Sequence, residues 1–198
     1  MSDTPNAPAP PRATPDRSRA HTVYLGLGAN LGDRDAALRA ALVALGQPLT
    51  WLTTNQDDSA SSPIVPIVHI ERVSSVYDTA PALVTDQPRF HNIVCMGRTW
   101  LSPLSLLHAL KQIETRLGRV AGPRYGPRAL DIDILLYDDL ILQTPELTIP
   151  HEGIAQRAFV LLPLAEIAPD LRHPGLRRDV RSLAAEVAGA DARRVGRL

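Results

Sequence analysis

Lysine is almost absent from this chain. Lys111 is the only one, and all other basic charge is arginine. A phosphate-cradling Gly-x-x-x-x-Gly-Lys loop is thereby excluded, because no glycine stands at the required spacing before Lys111. Cysteine also occurs once, so Cys95 has no partner for an internal disulfide. Set in an apolar run, it reads as a core thiol of a protein kept in a reducing compartment. No segment approaches the roughly 18 to 20 apolar residues that cross a bilayer, and the N-terminus lacks a signal peptide's apolar stretch. A cytoplasmic location without a membrane partner is expected. Charge of one sign is missing too. With 21 basic and 21 acidic residues, nothing draws the chain non-specifically to nucleic acid or anionic lipid. Any anion site must be local.

What is present suffices for one domain of ordinary size, large enough to bury a real core. Residues 1–20 contain five prolines and few apolar side chains, a composition that does not offset the entropy of ordering. They are expected to form a disordered tail ahead of a single domain over 21–198. Within that domain, 21–28 reads as a strand and 33–45 as a helix, with Ala37, Leu38, Ala41, Leu42 and Leu45 at helical spacing and Asp33 as its cap. A long polar loop is predicted over 46–66, and strands over 67–77 and 90–100 with a loop at 78–89 between them. Leu106, Leu107, Leu110, Ile113 and Leu117 then form a helical stripe that Gly118 ends. A loop over 119–127, a strand over 129–137, a short hairpin over 140–149 and helices over 158–168 and 179–188 complete the reading. The order β-α-β-β-α-β is that of the ferredoxin-like split βαβ sandwich, an α+β fold with helices on one face of an antiparallel sheet. Many functions share this order, so it does not choose among them.

Chemistry concentrates in the run Arg124-Tyr-Gly-Pro-Arg-Ala-Leu-Asp-Ile-Asp-Ile-Leu-Leu-Tyr137. Asp131 and Asp133 interrupt an otherwise apolar strand, and residues two apart on a strand share a face about 6.5 to 7 Å apart. Two such carboxylates raise each other's pKa or recruit positive charge. Oxygen-only ligation favours a hard cation such as magnesium. Arg116, Arg119, Arg124 and Arg128 lie just upstream, and the set suggests a metal-bound polyphosphate. Taken alone, the pair equally fits two acids on a wet sheet face. Glu114, one turn before Gly118, stands as either a third acid near the site, an arginine-orienting carboxylate, or a solvated partner of Lys111 or Arg116. His151 has no second histidine at ligand spacing, so it reads as a phosphate-facing donor or a surface residue. Phe90 and Phe159, the only phenylalanines, fit either the core or a clamp on a flat aromatic ligand. The run Gly26-Leu-Gly-Ala-Asn-Leu-Gly32 fails the dinucleotide spacing, since position 31 is leucine. It reads as a tight turn with Asn30 bonding locally.

These three segments, Tyr24 through Arg34, Arg124 through Tyr137, and Pro150-His151 through Phe159, resemble the 6-hydroxymethyl-7,8-dihydropterin pyrophosphokinases of folate biosynthesis, over about residues 22–175. The resemblance implies transfer of pyrophosphate from ATP to the pterin hydroxymethyl oxygen, releasing AMP. Asp131 and Asp133 would hold two magnesium ions, with Arg119 and Arg128 completing the catalytic set. Lys111, Glu114, Arg119, His151 and Arg157 would serve ATP, with backbone near Ile134 and Thr148 receiving adenine. Thr79, Leu83, Phe90, Asn92, Arg128 and Phe159 would serve the pterin. ATP and the pterin are the implied partners of a monomer, with no nucleic acid. Ala121 and Tyr125 depart from residues frequent in the family, as does Glu146, and Arg124 would compensate for Ala121.

Protein and metal would supply positioning and charge neutralisation for in-line attack on the β-phosphorus. Asp133 or metal-lowered acidity of the hydroxyl are the two candidates for removing the proton. Closure of the 78–89 and 119–127 loops over the substrates is expected to exclude water. A metal-dependent nucleotidyltransferase would use the same aspartates but release free pyrophosphate. A ferredoxin-like RNA-binding module stacks bases on strand aromatics, which are 4% of this chain.

Overall fold

In the computed structural model, residues 19–48, 65–81, 86–119 and 126–198 are described. The predicted tail up to residue 18, most of the 46–66 loop, Leu83, and the 120–125 segment with Ala121, Arg124 and Tyr125 lie outside these residues.

The chain runs β1 (His21–Ala29), α1 (Arg34–Leu45), β2 (His69–Val73), β3 (Val76–Thr79), β4 (Phe90–Thr99), α2 (Pro103–Arg116) and β5 (Asp131–Tyr137). It continues through β6 (Leu142–Gln143), β7 (Thr148–Ile149), α3 (Ala158–Ile167), α4 (Val180–Glu186) and β8 (Ala192–Gly196). Helices α1, α2 and α4 begin where the sequence supplies side-chain acceptors, whereas α3 follows Arg157 with none. Asp33 accepts from the Ala36 N–H at 3.0 Å, and Ser102 accepts from Ser105 at 3.2 Å with Pro103 behind it. Gly118 takes φ 93° just past α2, a conformation that glycine adopts without strain.

The main sheet has the order β5-β1-β4-β3-β8, with β2 also paired to β4, and its pairings are antiparallel. Its central part is the ferredoxin-like arrangement expected from the element order. The predicted 67–77 strand is divided because Ser74 Oγ accepts from the Val94 N–H at 3.0 Å, replacing a backbone acceptor between β2 and β3. The short hairpin appears as β6 paired with β7.

The two helices of the βαββαβ core, α1 and α2, share one face of the sheet as expected, and the C-terminal helices α3 and α4 cover the other. Val23, Leu25, Leu27, Ile132 and Ile134 form one core with α1 and α2. Tyr24, Val94, Leu135 and Leu136 form a second with α3 and α4. Alternation along each strand supplies apolar residues to both sides. Against expectation the chain ends in a strand, since β8 pairs with β3. Among its residues only Ala192 and Val195 are apolar, too few to announce a strand by pattern.

Candidate active site

The site begins with two missing side chains. On β1, Gly28 faces Asn92 of β4 on one side and Asp131 of β5 on the other. Gly26 stands likewise between Val94 and Asp133. Directly opposed residues in antiparallel strands share a face, so the glycines leave a bare strip between β4 and β5. A Cβ on Gly28 would lie 2.7 Å from Asn92 Oδ1, and one on Gly26 would lie 3.3 Å from a Leu135 methyl. Above this floor opens a cavity of about 130 Å³, lined by both glycines and both aspartates.

Alternation in β5 turns Ile132 and Ile134 into the α1/α2 core while Asp131 and Asp133 face the cleft. The two acids have different surroundings. Asp131 meets Arg128 Nη1 at 2.7 Å, Arg119 Nη1 at 3.1 Å and Lys111 Nζ at 3.9 Å. Asp133 has His151 Nε2 at 3.9 Å. Packing around Asp133, with the Asp131 charge beside it, holds its carboxyl above the usual carboxylate range despite the opposing His151, Lys111 and Arg128.

Glu114 is 1% exposed. It accepts from the Ile132 N–H at 2.7 Å and from Lys111 Nζ at 2.8 Å, and it pairs with Arg119. Of the alternatives open in the sequence, burial excludes a solvated carboxylate, and Glu114 bonds both Lys111 and Arg119. Burial raises the Glu114 carboxyl against the opposing Lys111 charge and bonds. Its bonds to Ile132 and Lys111 hold the carboxylate that pairs with Arg119 beside Asp131, just past the end of α2.

Across the glycine strip, Asn92 is buried and its Nδ2 donates to Thr79 Oγ1 at 2.8 Å. This leaves Oδ1 over the cleft floor. Phe90 and Phe159 both line the cavity, as do Thr79, Arg128, His151 and Arg157. The Arg157 guanidinium lies over the Phe159 ring, 5.7 Å from its centre. His151 Nδ1 accepts from the Gly153 N–H at 3.1 Å, which directs Nε2 toward Asp133.

Nine of the predicted site residues thus meet at one cavity, namely Thr79, Phe90, Asn92, Arg128, Asp131, Asp133, His151, Arg157 and Phe159. Lys111, Glu114 and Arg119 stand behind Asp131 and do not line the cavity. Ile134 is 2% exposed in the α1/α2 core and lies outside the lining. Thr148 sits on the small β6/β7 sheet outside the lining. Gly26, Gly28, Gln87, Leu135 and Val160 also line the cavity and were not anticipated. Glycine at alternate positions of an apolar strand is the signal that points to a bare strip. Asn30 departs from the local turn expected of it. Its partners are Arg128, Gln87 and Pro88.

The sequence model of the 7,8-dihydro-6-hydroxymethylpterin-pyrophosphokinase family matches residues 24–169. The chain belongs to this family. Among curated pyrophosphokinases, the Pseudomonas aeruginosa 2-amino-4-hydroxy-6-hydroxymethyldihydropteridine pyrophosphokinase is 42% identical over 163 residues, 82% of this chain and 90% of that protein. The Schizosaccharomyces pombe folic acid synthesis protein fol1 is 38% identical over 151 residues, 76% of this chain but only 18% of that protein. The solved Plasmodium falciparum HPPK-DHPS structure superposes with a TM-score of 0.62 at 17% identity, covering 85% of this chain and 43% of the other. That likeness is one of fold. The chain therefore spans a minority of these longer proteins and nearly all of the bacterial pyrophosphokinase. The pyrophosphokinase match takes in the nine cavity-lining residues above and stops before α4 and β8.

Proposed function

We propose that the cleft holds ATP along the Asp131/Asp133 wall and the pterin between Phe90 and Phe159, with pyrophosphoryl transfer across the glycine strip. The chain is a pyrophosphokinase of folate biosynthesis, with ATP as co-substrate and hydroxymethyldihydropterin as acceptor. The observation that carries the arrangement is that two cleft-facing carboxylates stand one strand away from a buried amide and Phe90, with Phe159 of α3 lining the same cavity.

The donor set fits magnesium. Asp131 and Asp133 offer oxygen only, and among the described residues no group of three His, Cys, Asp or Glu side chains forms a closed cage. Magnesium takes one or two carboxylates and completes its shell with phosphate and water, so a pair on an open wall is the appropriate number. Asp131 and Asp133 would hold two such ions, which when bound supply charge neutralisation at the polyphosphate and polarise the reacting oxygens.

The chain's own groups do the positioning. Arg119 and Arg128, poised on Asp131, carry fixed positive charge to the triphosphate, joined by His151 beside Asp133 and by Arg157 beside Phe159. Lys111 and Glu114 hold Arg119 in place. Backbone near Ile134 and Thr148 receives adenine. Asn92 Oδ1 accepts from the pterin's exocyclic or ring N–H while Thr79 fixes its amide, and the Arg157 guanidinium supports the Phe159 ring on which the pterin stacks. Alignment of the hydroxymethyl oxygen with the β-phosphorus accounts for much of the rate, because well-oriented reactants gain up to about 7 to 11 kcal/mol.

In this reading residues 21–198 act as one domain and one chain carries the whole site. Among the described residues no helix is long and apolar enough to cross a membrane. Cys95, whose thiol burial pushes up to about 12, suits a reducing cytoplasm. The decisive experiment incubates ATP, magnesium and hydroxymethyldihydropterin with wild type and Asp133→Ala. AMP and pyrophosphorylated pterin are expected from wild type, with a loss of several kcal/mol of barrier lowering in the variant. Free pyrophosphate with an adenylylated acceptor would establish nucleotidyl transfer instead.

A further inference from the structure

We infer that Asn30 is a positioning residue whose single side-chain amide ties the polyphosphate wall of the cleft to its pterin wall. This rests on the functional reading above and adds a residue to it.

Asn30 is 2% exposed and lies just past β1, outside the cavity lining. Its N–H donates to the Arg128 carbonyl at 3.1 Å, and its Oδ1 accepts from the Arg128 N–H at 2.7 Å. Backbone and side chain thus clamp Arg128 from both polar groups of its peptide chain. The other end of the amide points the opposite way. Nδ2 donates to Gln87 Oε1 at 3.1 Å and to the Pro88 carbonyl at 3.2 Å. The partners fix which end is which, since the Arg128 N–H only donates and the Pro88 carbonyl only accepts.

The two segments so joined carry different halves of the site. Arg128 reaches Asp131, whereas Gln87 and Pro88 lead directly into Phe90 and Asn92. Arg34 reinforces the second tether, donating from Nη1 to the Arg89 carbonyl at 2.9 Å. The 87–89 segment therefore receives three bonds from the turn after β1 and the first residue of α1. Only a side chain with one donor end and one acceptor end of this size meets both demands. Aspartate keeps the acceptor and has no hydrogen for the Pro88 carbonyl; Gln87 can turn its amide to suit a carboxylate, but Pro88 cannot.

The two ends can be tested separately. KM for ATP, KM for the pterin and kcat are measured for wild type, Asn30→Asp, Asn30→Ala and Arg34→Ala, with the folded fraction of each from thermal unfolding. Asn30→Asp is expected to raise the pterin KM about tenfold while leaving the ATP KM within about twofold. Arg34→Ala, a partly exposed site, moves the pterin KM in the same direction. Asn30→Ala, which loses both tethers, raises both constants. Equal shifts of the two constants in Asn30→Asp, or variants altered only in melting temperature, would overturn the inference. Should Asn30→Asp not fold, an unchanged pterin KM in Arg34→Ala overturns it. Absence of AMP formation by wild type brings down the functional reading and this inference together, whereas wild-type turnover with unsplit variants removes the inference alone.

Discussion

Adding one methyl group at Gly28 tests the cleft floor directly. In Gly28→Ala the new Cβ would meet Asn92 Oδ1 at 2.7 Å and a Phe90 ring carbon at 3.9 Å. The second contact is ordinary. The first is not, because carbon and oxygen settle at about 3.3 to 3.6 Å, so the amide must retreat by roughly 0.6 to 0.9 Å. Gly28 lies in regular paired strand, and the substitution asks nothing unusual of its backbone. Retreat strains the 2.8 Å Asn92–Thr79 bond, whose loss costs about 1 to 2 kcal/mol of stability. The functional effect should be larger, since a misplacement near 1 Å costs on the order of a hundredfold in rate. Steady-state assays would show kcat/KM for the pterin down about a hundredfold, while a non-hydrolysable ATP analogue, titrated with magnesium, binds as to wild type. A variant within about threefold of wild type would refute the assignment of Asn92 to the pterin. Equal loss of nucleotide affinity would show that the methyl disturbs the whole cleft.

Further outcomes follow from the charged network. Glu114→Ala leaves the buried Ile132 N–H without its acceptor and should cost about 2 to 3 kcal/mol in urea unfolding, discounted for the partial exposure of Lys111 and Arg119. Glu114→Gln, which retains an acceptor, should cost less, and an alanine variant as stable as wild type would contradict the buried arrangement. Glu166 sits lower than an ordinary carboxyl: burial raises it, but hydrogen bonds from Ser75 and Tyr77 and the Arg194 charge outweigh this. Its contribution is therefore present above the usual carboxylate pKa and is lost as pH falls below it. The stability gap between wild type and Glu166→Gln should close in acid, and a gap constant down to about pH 3 would oppose this account. Tyr77 is pushed up to about 12, by burial first and by Glu166 second. The folded state holds this proton more tightly, so stability should fall between about pH 10 and 12 in wild type, and less so in Tyr77→Phe.

Local rules made much of the framework legible. Helical spacing located α1 and α2, apolar runs located β1, β4 and α3, and Asp33, Ser102 and Gly118 mark helix ends through bonds and backbone angles set within a few residues. Edge strand β8 was hidden because Arg193, Arg194 and Val195 carry no alternation, and pairing with β3 across more than a hundred residues supplies what local preference does not. Which face the C-terminal helices take was not legible, because apolar residues at Tyr24, Val94 and Leu136 look like any strand interior until α3 covers them. Asn30 was misread for a similar reason. An asparagine between glycines bonds locally in most turns, but its actual partners are distant segments brought alongside.

The sequence by itself determined that Asp131 and Asp133 share one strand face, because a two-residue period is a property of the extended backbone alone. It also carried the motifs of the pyrophosphokinase family. Only the tertiary structure decided that Asp131 draws Arg119 and Arg128 while Asp133 faces His151, and that Gly26 and Gly28 open the space between these acids and Asn92. Which residue stands across a strand depends on sheet order and register, set by how the two apolar cores close around the sheet.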